Sequence, residues 1–292
     1  MRPRLLVRAA ALLALTLVAA ACGGDDDTTS GDTAAAGDTS TDISLVPATQ
    51  PSLPEVVIPS SIPTELVVTE LEPGAGTPAA DGDTVFVHYV GVRSEDGQQF
   101  DTNYGGEPLP VTLGAGGVIA GWEQGLVGTT KGQRVQLDIP AELAYDDQPR
   151  GDVIQPGDAL TFVVDVLAVV PPSDPATAPT AADIPTGGEP VSEPVVEEVR
   201  AGEGAALELG QAGVFHLVAA RADDATLLSS TWEAMQPAWL PLSPDQLLPG
   251  LADALEGMQV GGRRVITLPY DARFGLTPET DMVVIADLVM IA

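Results

Sequence analysis

With 292 residues the chain is too long for one small domain and long enough for two of about a hundred residues with tails. A formal net charge of −30, with only 12 Lys and Arg, argues against nucleic acid as a partner and against adhesion to anionic lipid by charge alone, because both need clustered cations. Aromatics are 4% of the residues, so the cores must be built mainly from branched aliphatics, which favour strands.

Residues 1–21 have the pattern of a secretory leader: Arg2, Arg4 and Arg8, an apolar run from Ala9 to Val18, then small residues to Ala21. The run is too short for a comfortable membrane span. Cys22 is the only cysteine, so no disulfide can form within the chain. Following Ala19-Ala20-Ala21, it resembles the lipidated cysteine of a bacterial lipobox, although Ala19 stands where Leu is usual. That resemblance implies acylation of Cys22 and a lipid anchor on the outer face of the cytoplasmic membrane. An ordinary signal peptide with a chance cysteine is the alternative. Residues 22–64 are rich in Gly, Asp, Thr, Ser and Ala and then punctuated by Pro47, Pro51, Pro54, Pro59 and Pro63, a composition expected of a solvated tether.

The first folded unit is expected over residues 65–170. Leu66 to Val68 and Val85 to Val90 read as strands, with Val85, Val87 and Tyr89 on one face. Ser94-Glu95-Asp96-Gly97 is a turn, from which Gln98 to Thr102 returns as a strand carrying Phe100-Asp101. A glycine-rich approach leads to Val118, Ile119 and Trp122, and then to one helical turn from Glu123 to Val127 bracketed by Gly121 and Gly128. Arg134 to Ile139 alternates as a strand, and residues 140–157 form a long loop. Leu160 to Val169 closes the sheet with Leu160, Phe162, Val164 and Val166 on one face. These periods give an α+β unit, an antiparallel sheet wrapped on one short helix.

Residues 171–192 are rich in Pro and Ala and read as a semi-rigid linker. Beyond it the chain repeats. A shift of 128 sets His88 on His216 and Arg93 on Arg221; a shift of 129 sets Gly121 on Gly250, Gly128 on Gly257, Arg134 on Arg263 and Pro140 on Pro269. Residues 193–292 are therefore expected to be a second, degenerate copy of the same domain. In it Tyr89 becomes Leu217, Phe100 Leu228, Asp101 Ser229, Trp122 Leu251, Tyr145 Phe274 and Phe162 Val284, so the frame is kept and the wide or polar side chains are trimmed.

Several motifs of the first unit stand together in one order: Gly82-Asp83 to Tyr89-Val90-Gly91, Phe100-Asp101, Val118-Ile119-Ala120-Gly121-Trp122-Glu123-Gln124-Gly125-Leu126, Ile139-Pro140 and Leu143-Ala144-Tyr145. In this set the unit resembles the FKBP-type peptidyl-prolyl isomerases. The resemblance implies two FKBP-like domains and catalysed rotation about X-Pro bonds. That rotation must break amide resonance, a barrier of about 18–20 kcal/mol, without exchanging any covalent bond. It needs no nucleophile, metal or cofactor, only an apolar surrounding that desolvates the amide and donors fixed for its carbonyl oxygens.

By the same resemblance, Tyr89, Phe100, Leu109, Val118, Trp122, Ile154 and Phe162 would form the substrate cup, with Trp122 as its floor. The Ile119 N–H and the Tyr145 hydroxyl would be the donors, and Asp101, directed by Tyr89, would sit beside the twisting amide. Implied partners are proline-containing unfolded or exported polypeptides and macrolide-type inhibitors. The sequence departs from the family at Leu109 (commonly Phe), Arg150 (often His), Asp146 (usually Gly) and Gln155 (commonly Pro), which leaves substrate preference and macrolide affinity open.

His88 and His216 have no second ligand at metal spacing and read as structural. Arg134 and Arg263 recur in both copies and read as structural ion pairs. Two other functions fit the same chain: a non-catalytic chaperone or envelope binding module, and a docking or dimerisation surface on the second copy built around Trp232 and Trp239.

Overall fold

The computed structural model describes residues 53–292; the leader, Cys22 and the first part of the expected tether lie outside the described residues. Repeat one contains β1 (Val67–Glu72), β2 (Thr84–Arg93), β3 (Gln99–Thr102), β4 (Leu109–Thr112), α1 (Ala120–Gly125), β5 (Arg134–Ile139) and β6 (Leu160–Val170). Its strands are antiparallel in the order β1-β5-β6-β2-β3, with β4 pairing the first half of β2. The two-residue period sorts the side chains. Val85 and Val87 of β2, Val135, Leu137 and Ile139 of β5, and Leu160, Phe162, Val164 and Val166 of β6 join Trp122 and Leu126 in one core. Val90, Val92 and Val163 face the other side.

The helix starts three residues before the expected turn, so Gly121 and Trp122 lie inside it. Gly121 is required by proximity, not by backbone conformation. A Cβ there would collide with Cγ2 of Ile139, and one on Gly125 would lie 2.8 Å from Cδ2 of Leu137. Two bare positions on one face let a six-residue helix sit directly on β5.

Repeat two contains β7 (Val195–Arg200), β8 (Glu203–Ala206), β9 (Ala212–Arg221), β10 (Leu227–Ser230), β11 (Ala238–Pro241), α2 (Leu251–Leu255), β12 (Gln259–Val260), β13 (Arg263–Leu268) and β14 (Met282–Ile291). The order β10-β9-β14-β13-β7, with β11 on β9, reproduces repeat one strand for strand; β8 and β12 add a small ribbon. The recurring arginines pair as expected, Arg134 with Asp165 at 2.5 Å and Arg263 with Asp287 at 2.7 Å. Tyr104, its hydroxyl donating to Asp165, stacks on His88 in repeat one. At the equivalent place Trp232 stacks on His216, ring centroids 4.1 Å apart.

The expected tether packs near its end, and the expected linker packs along its length. Val56 lies on Val90, Val92 and Val163, and Gln136 clamps Val57, its Oε1 accepting from the Val57 N–H at 3.2 Å and its Nε2 donating to the Val57 carbonyl at 2.8 Å. In the linker, Ile184 is buried against Val218, Ala220, Val283 and Ile285, and Arg263 donates to the Thr177 carbonyl. Val56 and Ile184 are themselves 128 residues apart, so each repeat begins with a strap across the outer side of its sheet. Average composition hides this, because one buried aliphatic and a few backbone hydrogen bonds suffice to hold a strap.

The two repeats also meet. Phe86, Leu167, Ala168 and Val170 of the first form a cluster with Val214, Trp239, Val289 and Met290 of the second, and the Phe86 and Trp239 rings lie 5.6 Å apart. Phe86 pairs with Ala168 across its sheet, and Val214 pairs with Met290 across the other. Equivalent strand positions therefore face each other, as in an isologous dimer contact. Trp232 is buried within its own repeat and Trp239 faces repeat one, so the residues that suggested an external docking surface are already in use.

Candidate active site

The bottom of the site is built by α1 and β6. Trp122, Phe162 and Ile154 are 3, 4 and 4% exposed. Tyr89, Phe100, Leu109, Val118, Ile119 and Tyr145, all partly exposed, pack around the same cluster and form its rim. The rings meet edge to face: Trp122 with Phe162 at 5.2 Å, Tyr89 with Trp122 at 5.1 Å and Phe100 with Phe162 at 5.5 Å between centroids. Such contacts fix ring directions more firmly than aliphatic packing would. Every residue expected in the cup is thus brought to one place, from four strands, the helix and two loops.

Gly91 makes this wall possible. It sits opposite Phe162 in the β2–β6 register, and a Cβ on it would lie 2.7 Å from Cε1 of Phe162 and 2.8 Å from Cζ of Phe100. Tyr89 carries the polar edge: its hydroxyl donates to Oδ2 of Asp101 at 2.7 Å, while the Thr102 N–H donates to Oδ1 at 2.8 Å. Burial first, and then the bond to Asp101, push the Tyr89 phenol above its usual pKa, so it stays a donor. Among the described residues neither the Ile119 N–H nor the Tyr145 hydroxyl has an intramolecular hydrogen-bond partner. An apolar cup with two free donors and a fixed carboxylate can desolvate an amide and hold its carbonyls while it twists.

Two supporting residues escaped the sequence reading. The Glu123 carboxylate accepts from the Gly114 and Gly116 N–H groups at 2.5 and 2.8 Å, tying the glycine loop that leads into Val118 and Ile119 back to the helix. Asn103 accepts from the Tyr89 N–H at 2.8 Å and donates to the Val87 carbonyl at 2.9 Å, anchoring the segment after Asp101 to β2. Neither side chain has a pattern of its own. Only repeat two offered a clue, with Ala252 and Thr231 at the equivalent positions.

In repeat two most of the equivalent places carry aliphatic side chains. Leu248 and Leu251 replace Ile119 and Trp122 and are 6 and 4% exposed, while Val284 replaces Phe162 and is buried. Phe215, where repeat one has Val87, is fully buried in that core.

The chain matches the family described as FKBP-type peptidyl-prolyl cis-trans isomerase over residues 76–167 and again over 204–286, together more than half its length. An FK506-binding protein of Streptomyces anulatus is 46% identical over 119 residues, 40% of this chain and 96% of that relative. One from Neisseria meningitidis serogroup A is 39% identical over 105 residues, 36% of this chain and 95% of the relative. The crystal structure of FkpA from Escherichia coli is 42% identical over 36% of this chain and 48% of its own, with a TM-score of 0.33. With two stretches matched in tandem, the chain belongs to the FKBP-type peptidyl-prolyl cis-trans isomerase family.

Proposed function

We propose that the isomerase activity resides in repeat one alone. There Trp122, Phe162, Ile154, Tyr89, Phe100, Leu109 and Val118 receive the prolyl ring, the Ile119 N–H and Tyr145 hydroxyl hold substrate carbonyls, and Asp101 faces the rotating amide. The observation that carries this reading is the convergence of these residues around donors that have no partner among the described residues, set against an aliphatic counterpart in repeat two. Repeat two is then a buttress without turnover.

The substrates proposed are proline-containing polypeptides folding outside the cytoplasm. The chain would reach them from the outer face of the cytoplasmic membrane, held by an acylated Cys22; the leader pattern and the lipobox-like cysteine support this. Macrolides of the kind for which the relatives are named would compete for the same cup.

A proline-peptide isomerisation assay on the chain without its leader tests the site. Asp101→Ala should lose at least tenfold in kcat/KM, about 1.4 kcal/mol of barrier. A folded sample that leaves the uncatalysed rate unchanged would end the assignment. A chaperone that grips without rotating is distinguished by suppression of client aggregation that survives Asp101→Ala together with a null rate in the parent. For the anchor, Cys22→Ser should move the protein from the membrane to the soluble fraction.

A further inference from the structure

Eight arginines lie in the described residues of this strongly acidic chain, and seven of them have a carboxylate within 4.0 Å: Arg93, Arg134, Arg200, Arg221, Arg263, Arg264 and Arg273. Arg150 is the exception among these residues, and it stands at the rim of the cup. Its Cζ lies 4.9 Å from the centroid of the Tyr145 ring. Its backbone N–H donates to the Ile154 carbonyl at 3.1 Å, and the Ile154 N–H returns the bond at 3.2 Å. A cation–π contact to one site residue and a backbone bridge to another therefore position it. A guanidinium resting on an aromatic ring keeps its N–H fork free for a carboxylate.

We propose that Arg150 is a specificity residue, selecting substrates with a carboxylate side chain next to the proline that isomerises. This rests on the assignment of the peptide site to repeat one. Repeat two has no counterpart: its loop after Phe274 is shorter and contains no arginine, and Arg273 is paired to Asp271. Charge was thus lost along with the aromatic wall. Asp146, Asp147 and Asp152 share the loop with Arg150, but none is within 4.0 Å of its nitrogens. These loop acids lower the potential at the rim without pairing with Arg150, and acids beyond about 8 Å are screened at physiological salt. An exposed ion pair contributes about 0.2–1 kcal/mol, which sets an upper size of about fivefold in rate.

The test uses the whole chain after the leader and three acetyl-capped, amidated peptides, Ala-Xaa-Pro-Phe with Xaa as Glu, Leu or Lys, followed by exchange NMR at physiological salt. The quantity read is the ratio of kcat/KM for Glu-Pro to that for Lys-Pro, so any general loss of activity cancels. The parent should favour Glu-Pro, Arg150→Gln should lower the ratio about three- to fivefold, and Arg150→Glu should reverse the preference. In 0.5 M salt the parent ratio should fall toward that of Arg150→Gln. An identical ratio in parent and Arg150→Gln, with all three peptides accelerated, overturns the role of Arg150 and leaves the site intact. If the parent accelerates none of them, the site assignment fails and this inference with it.

Discussion

The two repeats share a strand order, a partly buried arginine–aspartate pair, a strap and a short helix, yet only one retains several aromatic rings at the rim, where repeat two keeps Phe274. The difference lies in a few coupled positions. In repeat one Gly91 leaves room for Phe162 and Phe100; in repeat two the equivalent Ala219 faces Val284 and neighbours Ser229, and no large ring needs the space. Trp122 becomes Leu251, and the partly exposed Ile119 becomes the buried Leu248. Volume removed from the wall was returned to the core, where Phe215 is fully buried. A fold of this kind keeps its stability when its wall is trimmed, because close packing rewards an occupied core and only function requires the aromatic cup.

Substitutions that carry one repeat toward the other break this comparison most directly. Trp122→Leu gives repeat one the floor of repeat two. The expected result is a loss of at least tenfold in peptide isomerisation with the chain still folded, read by kcat/KM beside near-ultraviolet circular dichroism. Trp239→Ala removes the ring that packs on Phe86. It should cost about 2–3 kcal/mol and separate the unfolding of the repeats into two calorimetric transitions, since this cluster joins them. One unchanged transition would show that the seam does not couple them.

Gly91→Ala sharpens the account of the wall. The new Cβ would press on Phe162 and Phe100 at a cost of about 1–3 kcal/mol in urea unfolding. Combined with Phe162→Val, which recreates the pairing of repeat two, the loss should be less than the sum by about 1 kcal/mol. Additivity would mean that the two positions are not coupled energetically.

The smallest effect is in pH dependence, where the repeats should differ in direction. Burial lowers the pKa of His216 despite the opposing charge of Asp287. The unfolded chain then binds a proton that the folded one refuses, so this contribution is complete above about pH 6.5 and shrinks as pH falls below it. In repeat one Tyr89 and Tyr104 are raised, by burial first and then by their bonds to Asp101 and Asp165. Their contribution is complete below the ordinary tyrosine value of about 10 and is lost as pH rises beyond it. Denaturant titrations of His216→Gln and of Tyr104→Phe at several pH values should flatten the acid and alkaline sides respectively.

What the sequence determined alone was periodic or repeated. Two-residue alternation placed Val85, Val87 and Tyr89 on one face, and shifts of 128 and 129 residues exposed the duplication, because strand geometry and common descent both write themselves at fixed spacing. The cup residues were legible only through a family's motifs, since a pocket wall and a core wall use the same side chains. Only the tertiary structure decided why Gly121 and Gly91 are glycines, that Glu123 holds the glycine loop, that Val56 and Ile184 fasten straps, and that Trp239 reaches the other repeat. Each of those depends on atoms brought within a few ångströms from distant parts of the chain, a proximity that leaves no periodic trace in the order of the residues.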